Sequence, residues 1–418
     1  MAVVAGGVGV ALLLQGCSTG GSSDSDDGTV QLSFLNQSRG QEETLVALAE
    51  EYGEQNGVTI SVDSPGPADF PAKLQSKAQS GDMPDLYSVV DANVMAPYYK
   101  AGWAMDLTDE LAGDWGDTFV PAALDLWAFQ DGNSLDVPAG TYSVHWDTNT
   151  YAMLVDPNTT GMTVDSPPAT MGDFLDTVSG AGEGQFSIAA SLTPWLVASY
   201  ATNYLTDEEI DATFAGESSW ESDGWRKTFE LFEQMRDAGV LANASIPGGT
   251  DDNANVEKAF FNTRTIASAF DQTAAIGVAR STAPDYTDFA SIVIPAADDA
   301  TEDARNLARP GKGVAVNPKG DHPKEALAFA KWLTEPAQQQ RFADAVGTLP
   351  TAADLAGGEL SPQIQGFADA AANPMAVSNT MTTDVVSAIG SGVQSIVLGE
   401  KSVDDVLRDV QSAQELSQ

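Results

Sequence analysis

The stretch that decides the fold runs from Val30 to Val62, VQLSFLNQSRGQEETLVALAEEYGEQNGVTISV. Val30, Leu32 and Phe34 alternate with polar residues, the period of a strand with one buried face. Leu45, Leu48, Ala49 and Tyr52 then recur at helical spacing, and VTISV (58–62) alternates again. Strand, helix, strand is the result. A further unit follows. Phe70, Leu74 and Ala78 mark one helix face, Gly81 and Pro84 punctuate, and DLYSVV leads to Asp91 as a buried strand. Alternating strands and helices predict an α/β fold with a mainly parallel sheet flanked by helices. Ligands in such sheets sit beyond the carboxyl ends of the strands, which places Asn36, Gln37, Asp91 and Asn93 at a candidate site.

Late in the chain, SIVIP (291–295) and KGVAV (312–316) read as strands. Pro323 opens a helix with Ala326, Phe329, Ala330 and Leu333 on one face, and Val403, Val406, Leu407 and Val410 mark another amphipathic helix. With 418 residues and 43% hydrophobic content, the chain can fill the cores of two or three domains. Its charge balance, 60 Asp plus Glu against 19 Lys plus Arg for a net −41, repels nucleic acid and anionic lipid, so no nucleic-acid role is expected.

Ala2 to Leu14 is apolar, has the length of a signal-peptide core and is too short to span a bilayer. After Leu14 no apolar run approaches the ~20 residues a span requires. LQGC at Leu14–Cys17 resembles the lipobox of bacterial lipoproteins, which implies that residues 1–17 are a lipoprotein signal ending at a lipidated Cys17. The polar, small-residue segment 18–28 behind it has the composition of a flexible tether. Gln15 stands where a small residue is usual, and no Lys or Arg precedes Arg39. DSDDG within the tether is not a calcium loop, because Gly28 falls one place early and the required Glu is missing.

Several further segments, taken in order, resemble the extracellular solute-binding proteins of ABC importers, in the family 1 branch of maltose-binding-protein-like sugar binders. SGDMPDLYSVVD (80–91) is similar to the family's Gly-x-x-Pro-Asp turn into a strand, and AGWAMDLTDEL (101–111) to the segment after it. LDVPAGTYSVHWDTNTY (135–151) resembles the crossing strand, SPPATMGDFLDTV (166–178) a helix start, and FNTRTIASAF (261–270) the Phe-x-x-Gly-x-x-Ala-Met strand. Residues 311–354 resemble the late helix with its Pro-containing break and Gly-x-x-Pro end. Three positions depart from the pattern. Arg264 stands at the Gly, Ser268 at the Met, and Ala274 near where sugar binders often keep a stacking Trp.

The resemblance implies two lobes, each discontinuous and joined by a hinge, with crossings near Ala139, Ala300 and Ala353. Lobe 1 then comprises 29–138 plus 300–352, and lobe 2 comprises 139–299 plus 353–418. PAGTYS (138–143) and PAADDATEDARN (295–306) are the expected hinge segments. Together with the lipobox resemblance at Leu14–Cys17, it implies a lipid-anchored, monomeric receptor at the extracellular face of the membrane, capturing a mono- or oligosaccharide for a permease.

A sugar site needs carboxylates, amides and cations around aromatic plates. Trp195, after the strand-like FSIAAS and a Pro, is the expected plate, while Trp103, Trp127, Trp225 and Trp332 lie on apolar patterns and are assigned to core. The expected polar contacts are Asn36, Gln37, Arg39, Asp91, Asn93, Tyr142, His145, Asp271, Gln272, Arg309 and Lys312. Arg309 precedes PGKG and Lys312 lies within it, between glycines that let backbone approach a ligand. Two histidines and one cysteine argue against a zinc site, and no cofactor is expected. The mature chain carries no nucleophile elbow, phosphate loop or dinucleotide fingerprint. Alternative readings are a binder of a polyol, peptide or other non-sugar solute, an exported glycoside hydrolase acting through paired carboxylates, or a structural or adhesive lipoprotein.

Overall fold

The computed structural model describes residues 29–37, 40–66, 69–90, 92–242, 253–355 and 360–417. Strand β1 (Val30–Leu35) buries Leu32, Phe34 and Leu35, and helix α1 (Glu42–Asn56) buries Leu45, Leu48, Ala49 and Tyr52. Gly57 ends α1 in the left-handed region at φ 66°, where a side chain is strained, and its N–H bonds the Gly53 carbonyl. Strand β2 (Val58–Asp63), helix α2 (Phe70–Ser80) and strand β3 (Leu86–Val89) follow in the expected order. Both β2 and β3 pair with β1 in parallel, because each returns through a helix packed on the sheet.

The chain continues through α3 (Pro121–Trp127), β4 (Val144–His145), β5 (Asp147–Val155), β6 (Phe186–Ile188) and α4 (Thr193–Ala201). Then come β7 (Ser268–Gln272), α5 (Ala275–Thr282), β8 (Ala290–Ile292), β9 (Ala308–Pro310) and β10 (Gly313–Val316). Helices α6 (Pro323–Leu333) and α7 (Pro336–Val346), strand β11 (Leu349–Pro350) and helix α8 (Pro362–Ala372) complete the elements around the site. The first lobe's sheet has the order β2-β1-β3-β10-β4, and the second lobe's has β8-β5-β7-β6. Phe34, Phe329 and Phe342 fill one face of the first sheet, Leu35, Tyr87 and Ala315 the other, and a single larger core lies around the second.

The sheets are less uniformly parallel than the pattern predicts. β10 runs antiparallel to β3 and β4, and β5 antiparallel to β7 and β8. In each sheet the reversed strand is the one the chain enters directly from the other lobe. No helical return precedes it, and only such a return sets neighbours parallel.

The lobes meet where β5 lies between β9 and β11, antiparallel to both. These crossings are displaced from those expected near Ala139 and Ala300. Gly140 and Thr141 still pair with Phe129 and Ala128, and His145 pairs with Gly313, all within the first lobe. Residues 297–307 still belong to the second lobe. The N–H of Thr301 reaches the Asn203 carbonyl at 2.9 Å, and that of Leu307 reaches Ser199 Oγ at 3.1 Å. PAGTYS and PAADDATEDARN are therefore bound segments, and the chain crosses at Trp146–Asn149 and Arg309–Lys312. Their small residues signalled turns, but partners distant in sequence decide which lobe holds them. Ala352 still bridges to Phe119 in the first lobe, whereas α8 packs on β5 and β8 in the second.

Candidate functional site

The carboxyl ends of β1, β3 and β7, the amino end of α4 and the crossing strand β9 converge on a cleft between the lobes. It holds two adjoining chambers, of about 200 Å³ and 260 Å³. Trp127, Phe129, His145 and Trp195 line the first chamber, and Gln37, Gln41, Asp147, Asn149, Gln272 and Lys312 line the second. Arg309 borders both.

Six of the expected ligand residues thus reach the cleft: Gln37, His145, Trp195, Gln272, Arg309 and Lys312. Arg39, Asp91 and the proposed lipidation residue Cys17 lie outside the described residues. Four others face elsewhere. Asn36 is buried, donates from Nδ2 to Ser64 Oγ at 3.1 Å and accepts from Ser88 Oγ at 2.9 Å. It braces the end of β1 so that Gln37, the next residue, turns into the cleft. Asp271 is likewise buried, and Gln272, one place on, lines the chamber. Successive strand side chains point to opposite faces, so of each such pair only one can meet a ligand. Tyr142 is buried in a stack on Tyr99, with centroids 5.3 Å apart. Asn93 donates to the Met381 carbonyl at 3.3 Å and so joins the lobes.

Trp195 projects half-buried from the first turn of α4, behind Pro194. Its ring stacks toward Tyr151 at 6.5 Å and 24°, and the Arg309 guanidinium lies over it at 4.3 Å from the centroid. The plate therefore already carries a cation.

His145 donates from Nδ1 to the Gly311 carbonyl at 2.9 Å, so Nε2 accepts from the Ser143 hydroxyl at 3.0 Å. Burial pushes the imidazole down to about 4, although the Gly311 carbonyl favours the charged ring. It is a neutral wall residue rather than a cation for the ligand. Asp147, on the first crossing segment, accepts from Gln41 Nε2 at 3.0 Å and from the Lys312 N–H. Burial pushes it up to about 6, against the Gln41 hydrogen bond, the Lys312 N–H and the Lys312 charge, all of which lower it. Lys312 Nζ donates to the Gln37 carbonyl, tying the hinge to the end of β1.

The PGKG glycines serve these two residues more directly than a ligand. A Cβ on Gly313 would stand 2.3 Å from His145 Nδ1, and one on Gly311 would stand 1.9 Å from Asp147 Oδ1.

Gln41, Asp147 and Trp127 are site residues that the sequence reading missed. A single acid among 60 carries no signal, and Gln41 identifies itself only through its contacts, including acceptance from Trp146 Nε1 at 2.8 Å. Trp127 is 3% exposed, as its core assignment requires, yet one side of it walls the first chamber. Of the other tryptophans, Trp225 is fully buried, and Trp103 and Trp332 are partly buried against the first-lobe cores.

The three departures from the family pattern also find their places. Arg264 keeps the left-handed backbone that a glycine would suit, at φ 50°, with its guanidinium 4.0 Å from the Tyr286 ring centroid. That conformation costs a non-glycine residue roughly 1–2 kcal/mol. Ser268 donates to the Leu154 carbonyl at 2.7 Å inside the second sheet. Ala274 lines the second chamber, where its small side chain leaves room.

Among the described residues no group of three or more His, Cys, Asp or Glu is placed to hold a metal ion. No described helix is long and apolar enough to cross a membrane.

Two α/β lobes joined by crossing strands around a cleft define a two-lobed binding protein. The chain belongs to the bacterial extracellular solute-binding protein family, whose model matches residues 47–374. This is a family of binding proteins rather than enzymes. Comparison with curated protein sequences finds no match. Among solved structures, one from work on xylan utilization by Caldanaerobius polysaccharolyticus is similar at 14% identity and a TM-score of 0.75. It covers 92% of this chain and 99% of its own. The GacH receptor of Streptomyces glaucescens, solved unliganded and with acarbose, matches at 14% identity and 0.73, over 93% and 98%. The maltose/maltodextrin-binding domain MalE of Bdellovibrio bacteriovorus, bound to maltotriose, matches at 19% identity and 0.68, over 93% and 99%.

Proposed function

We propose that this protein is the substrate receptor of an ABC importer, capturing an extracellular mono- or oligosaccharide between its lobes and delivering it to the permease. The observation that carries this reading is the convergence of Trp195 and Arg309 with the amides Gln37 and Gln272 and the ammonium of Lys312 on one inter-lobe cleft. An aromatic plate meets the C–H face of a sugar, and the polar groups around it meet its hydroxyls. The relatives solved with acarbose and maltotriose support the same ligand class. On this reading the receptor acts as a monomer, is held at the outer face of the membrane by a lipid on Cys17, and performs no chemistry on its ligand.

A thermal-shift screen over sugars, polyols and peptides tests it. A ligand that binds only the native state at ~1,000-fold excess over Kd adds about 4 kcal/mol of stability. Stoichiometric sugar binding without turnover is expected. Protection by a polyol or peptide alone replaces the sugar with another solute, and hydrolysis of an oligosaccharide replaces the receptor with a glycosidase.

A further inference from the structure

We propose that Arg309 sets the size of ligand the cleft accepts, a conclusion that rests on the carbohydrate reading above. The two chambers adjoin at Val89, Val90, Arg309 and Pro310. Three of these have short or ring-locked side chains. Only Arg309 carries a long chain with a polar head, and it lies across the indole of Trp195 with its guanidinium 4.3 Å from the ring centroid.

Both ends of this partition are anchored. On the strand side, Arg309 pairs with Asn149 in the antiparallel ladder of β9 and β5. Beneath Trp195 the ring stack continues through Tyr151 to Phe270, with successive centroids 6.5 Å and 5.7 Å apart, into the second-lobe core. The methylene stem and guanidinium of Arg309 cover this platform by their bulk.

Size follows from this placement. Chambers of about 200 Å³ and 260 Å³ each fall below the roughly 300–1,000 Å³ typical of drug-sized ligands, and joined they fall within it. With Arg309 in place a single sugar ring suits one chamber, and a longer chain is stopped at the guanidinium. Truncating Arg309 opens the passage and uncovers indole surface on which an additional ring can stack.

The test is calorimetric titration of the purified protein with xylose, glucose and the di-, tri- and tetrasaccharides of each. Wild type, Arg309→Ala and Arg309→Met are compared, the methionine keeping the bulk without the charge. The expected result is a roughly fivefold to tenfold rise in the ratio of trisaccharide to monosaccharide affinity in Arg309→Ala, the scale of one additional aromatic contact. Arg309→Met should keep the wild-type ratio. Saccharide binding with an unchanged ratio in Arg309→Ala overturns the size partition and leaves the carbohydrate reading standing. An equal rise in Arg309→Met also overturns it, because charge rather than bulk then decides. No binding of any saccharide to any of the three proteins removes both.

Discussion

Asn379 of the second lobe accepts, through Oδ1, a 2.9 Å hydrogen bond from the backbone N–H of Ser134 in the first. Its own lobe holds it ready, because Nδ2 donates to Asp211 at 2.9 Å and Asp211 also accepts from the N–H groups of Ser378 and Asn379. Together with the Asn93 to Met381 bond, this contact closes the first chamber from the side away from the hinge strands.

Such a bond exists only when the lobes are together, so it favours the arrangement that encloses ligand. A net hydrogen bond contributes about 1 kcal/mol, so Asn379→Ala should weaken binding of the sugar found by the screen about fivefold. Small-angle scattering should show a larger radius of gyration for the ligand-free variant than for wild type, converging at saturation. Unchanged affinity and scattering would separate this bridge from capture.

Trp195→Ala removes a plate worth on the order of 1–2 kcal/mol to a stacked ring, which predicts binding ~5 to 30-fold weaker with the fold retained. Titration gives the affinity and circular dichroism the melting temperature. A collapsed melting temperature with intact affinity would make Trp195 a core residue only.

Burial of His145 has a consequence for acid stability. The unfolded chain takes up a proton near pH 6.5, whereas the native imidazole stays neutral down to about 4. Between those values the unfolded state binds more protons, so stability falls as pH drops, by on the order of 3 kcal/mol across the window. Asp147, pushed up to about 6, has the opposite sign, since its native state takes the proton first and gains stability as pH falls from 6 toward 4. Urea denaturation of wild type and His145→Gln at several pH values from 7.5 to 4.5 isolates the histidine. The variant should lose less stability on acidification, and parallel profiles would contradict a buried neutral ring.

For the anchor, Cys17→Ala should release the protein into the medium, as fractionation and immunoblotting of cells and supernatant will show. A variant that remains as membrane-bound as the parent removes the lipoprotein reading.

Local pattern carried a large part of this structure. The period-2 run Val30, Leu32, Phe34 and the helical series Leu45, Leu48, Ala49, Tyr52 became β1 and α1. Ala326, Phe329, Ala330 and Leu333 likewise became the buried face of α6. Burial of an apolar face is a local demand, and its period is written in consecutive residues. The same logic brought Gln37, Gln272 and Trp195 to the cleft, because Gln272 ends a strand and the other two follow one. Tertiary structure decided the rest. Whether Asn36 or Gln37 faces the ligand depends on Ser64 and Ser88, and whether 297–307 is hinge or lobe depends on Asn203 and Ser199. Asp147 became distinct from the other acids only when Gln41, more than 100 positions earlier, and Lys312, more than 160 later, met it at the crossing strands. Arg309 came to lie on Trp195 in the same way. Such partners are assembled by long-range packing, and no period in the chain encodes the distance between them.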